Sequence, residues 1–255
     1  MKLINPQGFQ ALIEAASQSI FSGWDFSWLS GRMSEESPPW DYEHLVRRHL
    51  CGINSLLDMG TGGGEFLASL APFPADTHAT EAYPPNQSIA AARLVPLGIR
   101  VHPISEDAPL PFEDNSFDLV INRHESYNQV EVYRVLTPGG AFITQQIGGL
   151  DNLEINQALE ATLSFPFKQW GLVSTVTDLE DAGFTVERAE SAALKTEFND
   201  IGALVYYLRA IPWQVPDFNI ERYQAQLARL HNFIEAHGAL TTTAHRFLVI
   251  ARKEV

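Results

Sequence analysis

An apolar run that ends in a carboxylate, Leu56-Leu57-Asp58-Met59, leads straight into Gly60-Thr61-Gly62-Gly63-Gly64. Glycines let a chain turn sharply and lie against a ligand with no Cβ in the way. A strand that ends in such a turn and opens a helix fits a doubly wound sheet, whose ligands bind beyond the carboxyl ends of the strands. The flanking pattern agrees. Short apolar runs at residues 55–59, 77–81, 100–104, 117–122 and 141–147 alternate with helical patterns at 65–71, 86–97 and 129–136. That alternation predicts a parallel sheet with crossover helices. Thr137-Pro138-Gly139-Gly140 stops the last of these helices, because Pro cannot continue it and Gly supplies the exit geometry.

Beyond residue 147 the alternation lapses. The pattern predicts a helix ending near residues 178–183, a strand at 184–189 and a closing strand at 245–251. Between the two strands lies an amphipathic helix at 220–237, with Ile220, Tyr223, Leu227, Leu230 and Ile234 on one stripe. The expected organisation is a single domain over 1–255 with a ligand-binding core at 54–147. Aromatic segments at 1–42 and 197–218, with 150–169, are read as a cap or lid over the site.

Lys and Arg number 17 against 31 Asp and Glu, a net charge of -14. So negative a chain repels phosphate backbones, which disfavours a nucleic-acid substrate. A single cysteine, Cys51, excludes an intrachain disulfide and a cysteine-based zinc site. No apolar stretch reaches membrane-spanning length, and the N-terminal residues lack the apolar run of a signal peptide. The expectation is a cytoplasmic protein with no membrane partner and no metal; the oligomeric state is not legible.

Two rival readings of the glycine turn fail on spacing. The dinucleotide pattern G-x-G-x-x-G begun at Gly60 needs glycine where the chain has Glu65, and no Gly-Lys-Ser/Thr triplet supports a P-loop. From Asp58 the spacing is D-x-G-x-G-x-G, which resembles the first motif of class I S-adenosylmethionine-dependent methyltransferases with a type 11-like domain. The downstream order fits that resemblance. Glu81 ends the second strand about twenty residues on, where a carboxylate can accept ribose hydroxyls. The stretch from Ser105 through Leu110-Pro111-Phe112 to Ser116-Phe117-Asp118 resembles the family's third and fourth motifs. Glu131 to Phe142 resembles its helix, Pro-Gly-Gly turn and fifth strand.

The resemblance implies a doubly wound, seven-stranded, mostly parallel α/β sheet with the last strand antiparallel, plus a cap. It implies S-adenosyl-L-methionine as cofactor, with Asp58 near the ammonium group and Gly60, Thr61, Gly62 and Gly64 in the enclosing loop. Glu81 and Ala82 fall at the ribose, Asn122 at the end of the fourth strand. Glu106 and Asp107 both fall near the adenine, and which of them faces it stays open.

Methyl transfer from a sulfonium needs alignment and exclusion of water more than activation, and a base only when the acceptor must lose a proton. The ends of the fourth and fifth strands face the acceptor in this arrangement. His124 is the candidate base, because imidazole titrates near neutrality. Arg123, Glu125, Gln145, Tyr206 and Trp213 are candidate substrate contacts. The expected acceptor is an oxygen or nitrogen of a small molecule. An RNA methyltransferase and a non-catalytic S-adenosylmethionine-binding protein are the alternatives.

Overall fold

A computed structural model describes residues 6–21, 26–105, 109–161 and 167–254. In chain order the first half contains α1 (Pro6–Gln18), β1 (Met33–Glu35), α2 (Tyr42–His49), β2 (Ser55–Met59), α3 (Glu65–Ser69), β3 (Asp76–Glu81), α4 (Pro84–Leu94) and β4 (Arg100–Pro103). The second half continues with β5 (Phe117–Arg123), α5 (Gln129–Val135), β6 (Leu136–Ile147), α6 (Leu153–Ala158) and α7 (Leu172–Asp181). It closes with β7 (Phe184–Phe198), α8 (Ile201–Ala210), α9 (Gln224–His237) and β8 (Leu240–Lys253). The strand order is β1-β7-β8-β6-β5-β2-β3-β4. β4, β3, β2, β5 and β6 pair in parallel, and β8 runs antiparallel to β6.

The chain divides into two compact units. The larger comprises Pro38–Gly149, Gln169–Ala192 and Arg246–Val255. Its strands are apolar on both faces, as a parallel sheet covered twice by helices requires. Consecutive residues split between two cores: Leu56, Leu119, Ile143 and Leu248 pack with Leu45, Leu67, Ala90 and Leu94 of α2, α3 and α4. Leu57, Val120, Phe142 and Val249 pack on the other face with Val132 and Val135 of α5 and Leu179 of α7. The register brings the strand ends level, with Asp58 beside Ala79 and Ile121, and Asn122 beside Thr144.

The smaller unit comprises Met1–Ser37, Leu150–Lys168 and Ala193–His245. Its core is helical. Every residue of α8 except Arg209 is buried, and the α9 stripe predicted from sequence buries Tyr223, Leu227, Leu230 and Ile234. Asp200 caps α8 by accepting the Ala203 N–H at 2.9 Å and also pairs with Arg32. Tyr206 is buried and stacks on Trp28 with centroids 4.7 Å apart, whereas Trp213 is half exposed.

Three sequence expectations are revised. Eight strands replace seven, because Met33–Glu35 adds a short antiparallel edge to β7; three residues are too few to show periodicity. β7 runs on to Phe198 rather than ending near 189, its alternation masked by small and charged residues. α9 starts at Gln224, not 220. Among the described residues no helix is long and apolar enough to cross a membrane.

Candidate active site at the glycine loop

The site lies within the larger unit, at the carboxyl ends of β2, β3, β5 and β6. Gly60, Gly62 and Gly64 all have positive φ, at 68°, 62° and 80°, so the loop follows a path that side-chain-bearing residues resist. Their surroundings differ. A Cβ on Gly60 would fall 2.3 Å from Cγ of Glu125, and one on Gly64 would fall 2.8 Å from Cγ of Leu94. A Cβ on Gly62 would meet nothing within 4 Å. The first and third glycines are therefore packing requirements, while the middle one borders open space.

Hydrogen bonds fix the loop to β3. The Thr61 N–H donates to the Thr80 carbonyl at 3.0 Å, and the Gly64 N–H returns to the Thr61 carbonyl at 3.0 Å. Glu81, almost fully buried, accepts the Gly62 N–H on one carboxylate oxygen at 2.7 Å and the Tyr83 N–H on the other at 2.8 Å. Burial raises its pKa, and these backbone donors oppose the rise. Each oxygen keeps a further lone pair for a hydroxyl donor. Ala82 is half-buried beside it.

Asp58 is 5% exposed, and its pKa is raised to about 7. Loss of solvation is the main cause and the Glu81 charge adds to it, while the Thr61 side chain and Arg123 favour the anion. Two buried carboxylates at one strand edge make a place for a ligand that carries positive charge and hydroxyl groups. No cluster of metal-ligating side chains occurs among the described residues.

The acceptor-side residues form a connected polar network. Asn122 is fully buried; its side-chain oxygen accepts from the Thr144 hydroxyl at 3.0 Å and from the Gln146 amide, which also donates to the Glu125 carbonyl at 2.9 Å. Gln145 accepts the Trp40 indole N–H at 2.8 Å and sets its amide nitrogen 3.2 Å from Nε2 of His124. That contact assigns the unprotonated, accepting role to Nε2. His124 has φ 61° and is exposed to solvent. Even so, the protein packed around the ring, together with Arg246 and Arg123, holds its pKa below the ordinary imidazole range. Arg123 is exposed and lies over the Phe66 ring at 5.2 Å.

Most of the sequence-predicted residues thus share one strand edge: Asp58, the glycine loop, Glu81, Ala82 and Asn122, then Arg123, His124, Glu125 and Gln145. Tyr206 and Trp213 belong to the smaller unit. Glu106 and Asp107 lie outside the described residues. Sequence reasoning placed Trp40 and Tyr42 in a cap, yet both belong to the larger unit. The Tyr42 hydroxyl donates to the Asn122 carbonyl at 3.0 Å, and burial, with the Asp58 charge, raises its pKa. An aromatic-rich segment carries no periodicity that could separate these two residues from their neighbours.

Residues 57–144 match the family model of a methyltransferase domain. No curated protein sequence matches the chain. Among solved structures, a Bacillus halodurans C-125 protein assigned as a methyltransferase is 19% identical, with a TM-score of 0.60 over 84% of this chain and 99% of that one. A geranyl diphosphate methyltransferase in complex with geranyl diphosphate and sinefungin is 15% identical, with a TM-score of 0.50 over 84% and 77% of the two chains. A [4+2]-cyclase is 16% identical, with a TM-score of 0.51 over 96% and 92%. At these identities the structural likenesses establish the fold alone.

The differing glycine environments give a measurable contrast. Gly62→Ala should cost roughly 1–2 kcal/mol of folding stability, the backbone cost of a left-handed residue. Gly60→Ala should cost more, because the new Cβ also meets Glu125. Urea unfolding of the two variants checks the order; an equal loss would mean that packing does not distinguish the two positions.

Proposed function

From a chain whose residues 57–144 match a methyltransferase domain and whose fold is that of class I methyltransferases, we propose that the protein uses S-adenosyl-L-methionine to methylate an oxygen or nitrogen of a small molecule. The observation that carries this reading is the pairing of the buried Asp58 carboxylate, raised to about 7, with Glu81 across an open-sided glycine turn.

Asp58, once ionised, would hold the ammonium of the cofactor. Glu81 would take the ribose hydroxyls on the lone pairs its backbone donors leave free, with Ala82 and Asn122 beside it. Gly60, Thr61, Gly62 and Gly64 would enclose the methionine part, and Glu106 and Asp107 would meet the adenine. The cofactor supplies a methyl group already activated on a sulfonium. The remaining task is to hold the acceptor in line and exclude water.

Arg123, His124, Glu125 and Gln145 would surround that position. With its pKa depressed, His124 is neutral around pH 7 and works as a hydrogen-bonding partner; it could take a proton only from an acceptor that loses one readily. The net charge of -14 supports a small acceptor over RNA, and the single cysteine fits a reducing, cytoplasmic setting.

Calorimetry should show binding of S-adenosylmethionine and S-adenosylhomocysteine and no response to NAD. Incubation with a cell metabolite extract should then yield S-adenosylhomocysteine, and ribonuclease treatment should leave the yield intact. Loss of product after ribonuclease would favour RNA as acceptor, and binding without product would favour a non-catalytic carrier. Once an acceptor is found, His124→Ala should lower kcat about tenfold or more while leaving S-adenosylhomocysteine affinity unchanged, the scale of a lost acid–base or positioning contact. Wild-type turnover in that variant would remove His124 from the acceptor site.

A further inference from the structure

Trp40 reaches His124 through two contacts in series. Its indole N–H donates to Oε1 of Gln145 at 2.8 Å, and the amide nitrogen of Gln145 lies 3.2 Å from Nε2 of His124. An indole nitrogen can only donate, so it fixes which end of the Gln145 amide is oxygen. The other end is an NH2 group, which again can only donate. Nε2 must accept from it, and that places the single proton of the neutral ring on Nδ1. A second proton would set an N–H against the amide hydrogens. The protein packed around the ring, with the guanidiniums of Arg246 and Arg123, opposes it as well. Donation from Nδ1 is the role left to the ring.

This donor stands at the glycine loop and is open to a ligand. Asn122 pairs with Met59, so Arg123 and His124 follow at the level of Gly60. A Cβ on Gly60 would strike the side chain of Glu125, the next residue along. Arg123 and His124 are both exposed. Arg123 pairs in register with Gln145, and Gln145 with Leu248, so the three share the sheet face that carries Trp40 and Tyr42. Arg246, two residues before Leu248, lies on the same face. Arg123 lies over the Phe66 ring and makes no ion pair with a described residue. A fixed N–H beside an accessible guanidinium suits an anionic oxygen, because charge-assisted hydrogen bonds are the strong ones.

We propose that the acceptor carries a carboxylate or phosphate that takes the Nδ1–H of His124 and the guanidinium of Arg123, and that Trp40 is the positioning residue that fixes this donor through Gln145. The proposal rests on the methyl-transfer reading given above and adds to it the chemistry of the acceptor. The pair anchors the molecule, while the lone pair of the ring stays engaged by Gln145.

Nitrogen-15 NMR of labelled histidine reads the tautomer of His124 directly, with His124→Ala assigning its signal. The wild-type protein should show Nδ1 protonated and Nε2 bare near neutral pH. Trp40→Phe frees the Gln145 amide to flip and should mix the two tautomers. Gln145→Glu sets a carboxylate oxygen at Nε2 and should move the proton there. The same signal is followed while benzoate, phenyl phosphate or neutral benzamide is added, with and without S-adenosylhomocysteine. At least one anion should bind and benzamide should not; which anion binds separates a carboxylate from a phosphate. Arg123→Met should weaken that anion about tenfold, the scale of one charge-assisted hydrogen bond. A wild-type proton on Nε2, equal binding of benzamide, or no response to either anion would overturn the proposal. An unchanged tautomer in both Trp40→Phe and Gln145→Glu would overturn the positioning role. Anion binding with no response to S-adenosylhomocysteine would keep the anchor and refute the methyl-transfer reading.

Discussion

A carboxylate taken out of water must be neutralised, paired or left to destabilise the fold. Asp58 meets that constraint at the end of β2, where the sheet is covered on both faces and the chain turns away through glycines. The same few residues carry the structural burden around it. The Gly62 and Tyr83 N–H groups on Glu81 join the loop, β3 and the entry to α4, and the Thr61 N–H on Thr80 closes the link to β2's neighbour. The polar groups in this region are dense and only partly satisfied, an arrangement that suits recognition better than it suits stability.

The parallel core was legible because its signals are local. Strands such as Ser55–Met59 are wholly buried and mostly apolar, and the Pro-Gly-Gly run that follows the end of α5 at Val135 lies within the first residues of β6. The carboxylates Asp58 and Glu81 could be found for the same reason, since each ends a strand. What escaped depends on distance in the chain. Trp40 reaches Gln145 across 105 residues and Tyr42 reaches Asn122 across 80, and no pattern in an aromatic-rich stretch announces those pairings. β7 was cut short because its alternation past Ala189 is carried by Ser, Ala, Lys and Glu, which read as surface.

His124 illustrates how tertiary context changes chemistry that the residue type suggests. Imidazole alone titrates near neutrality. Here the desolvating protein around the ring, with the guanidiniums of Arg246 and Arg123, holds it neutral. The strand-end position was readable from sequence, but its charge state depends on residues as remote as Arg246.

The central claim is that Asp58 holds a cationic ligand group, and its ionisation reports on this directly. In the ligand-free protein its pKa, about 7, lies above the ordinary value of 3.8. That raised value means the stability linked to this group is fully present below about pH 4 and is lost as pH rises through about 7. A bound ammonium reverses the preference, so affinity should weaken as pH falls below 7. Carbon-13 NMR of the Asp58 carboxyl, titrated with and without S-adenosylhomocysteine, measures both states. The account predicts a midpoint near 7 in the free protein and one well below it in the complex. An unchanged midpoint with ligand bound would contradict it.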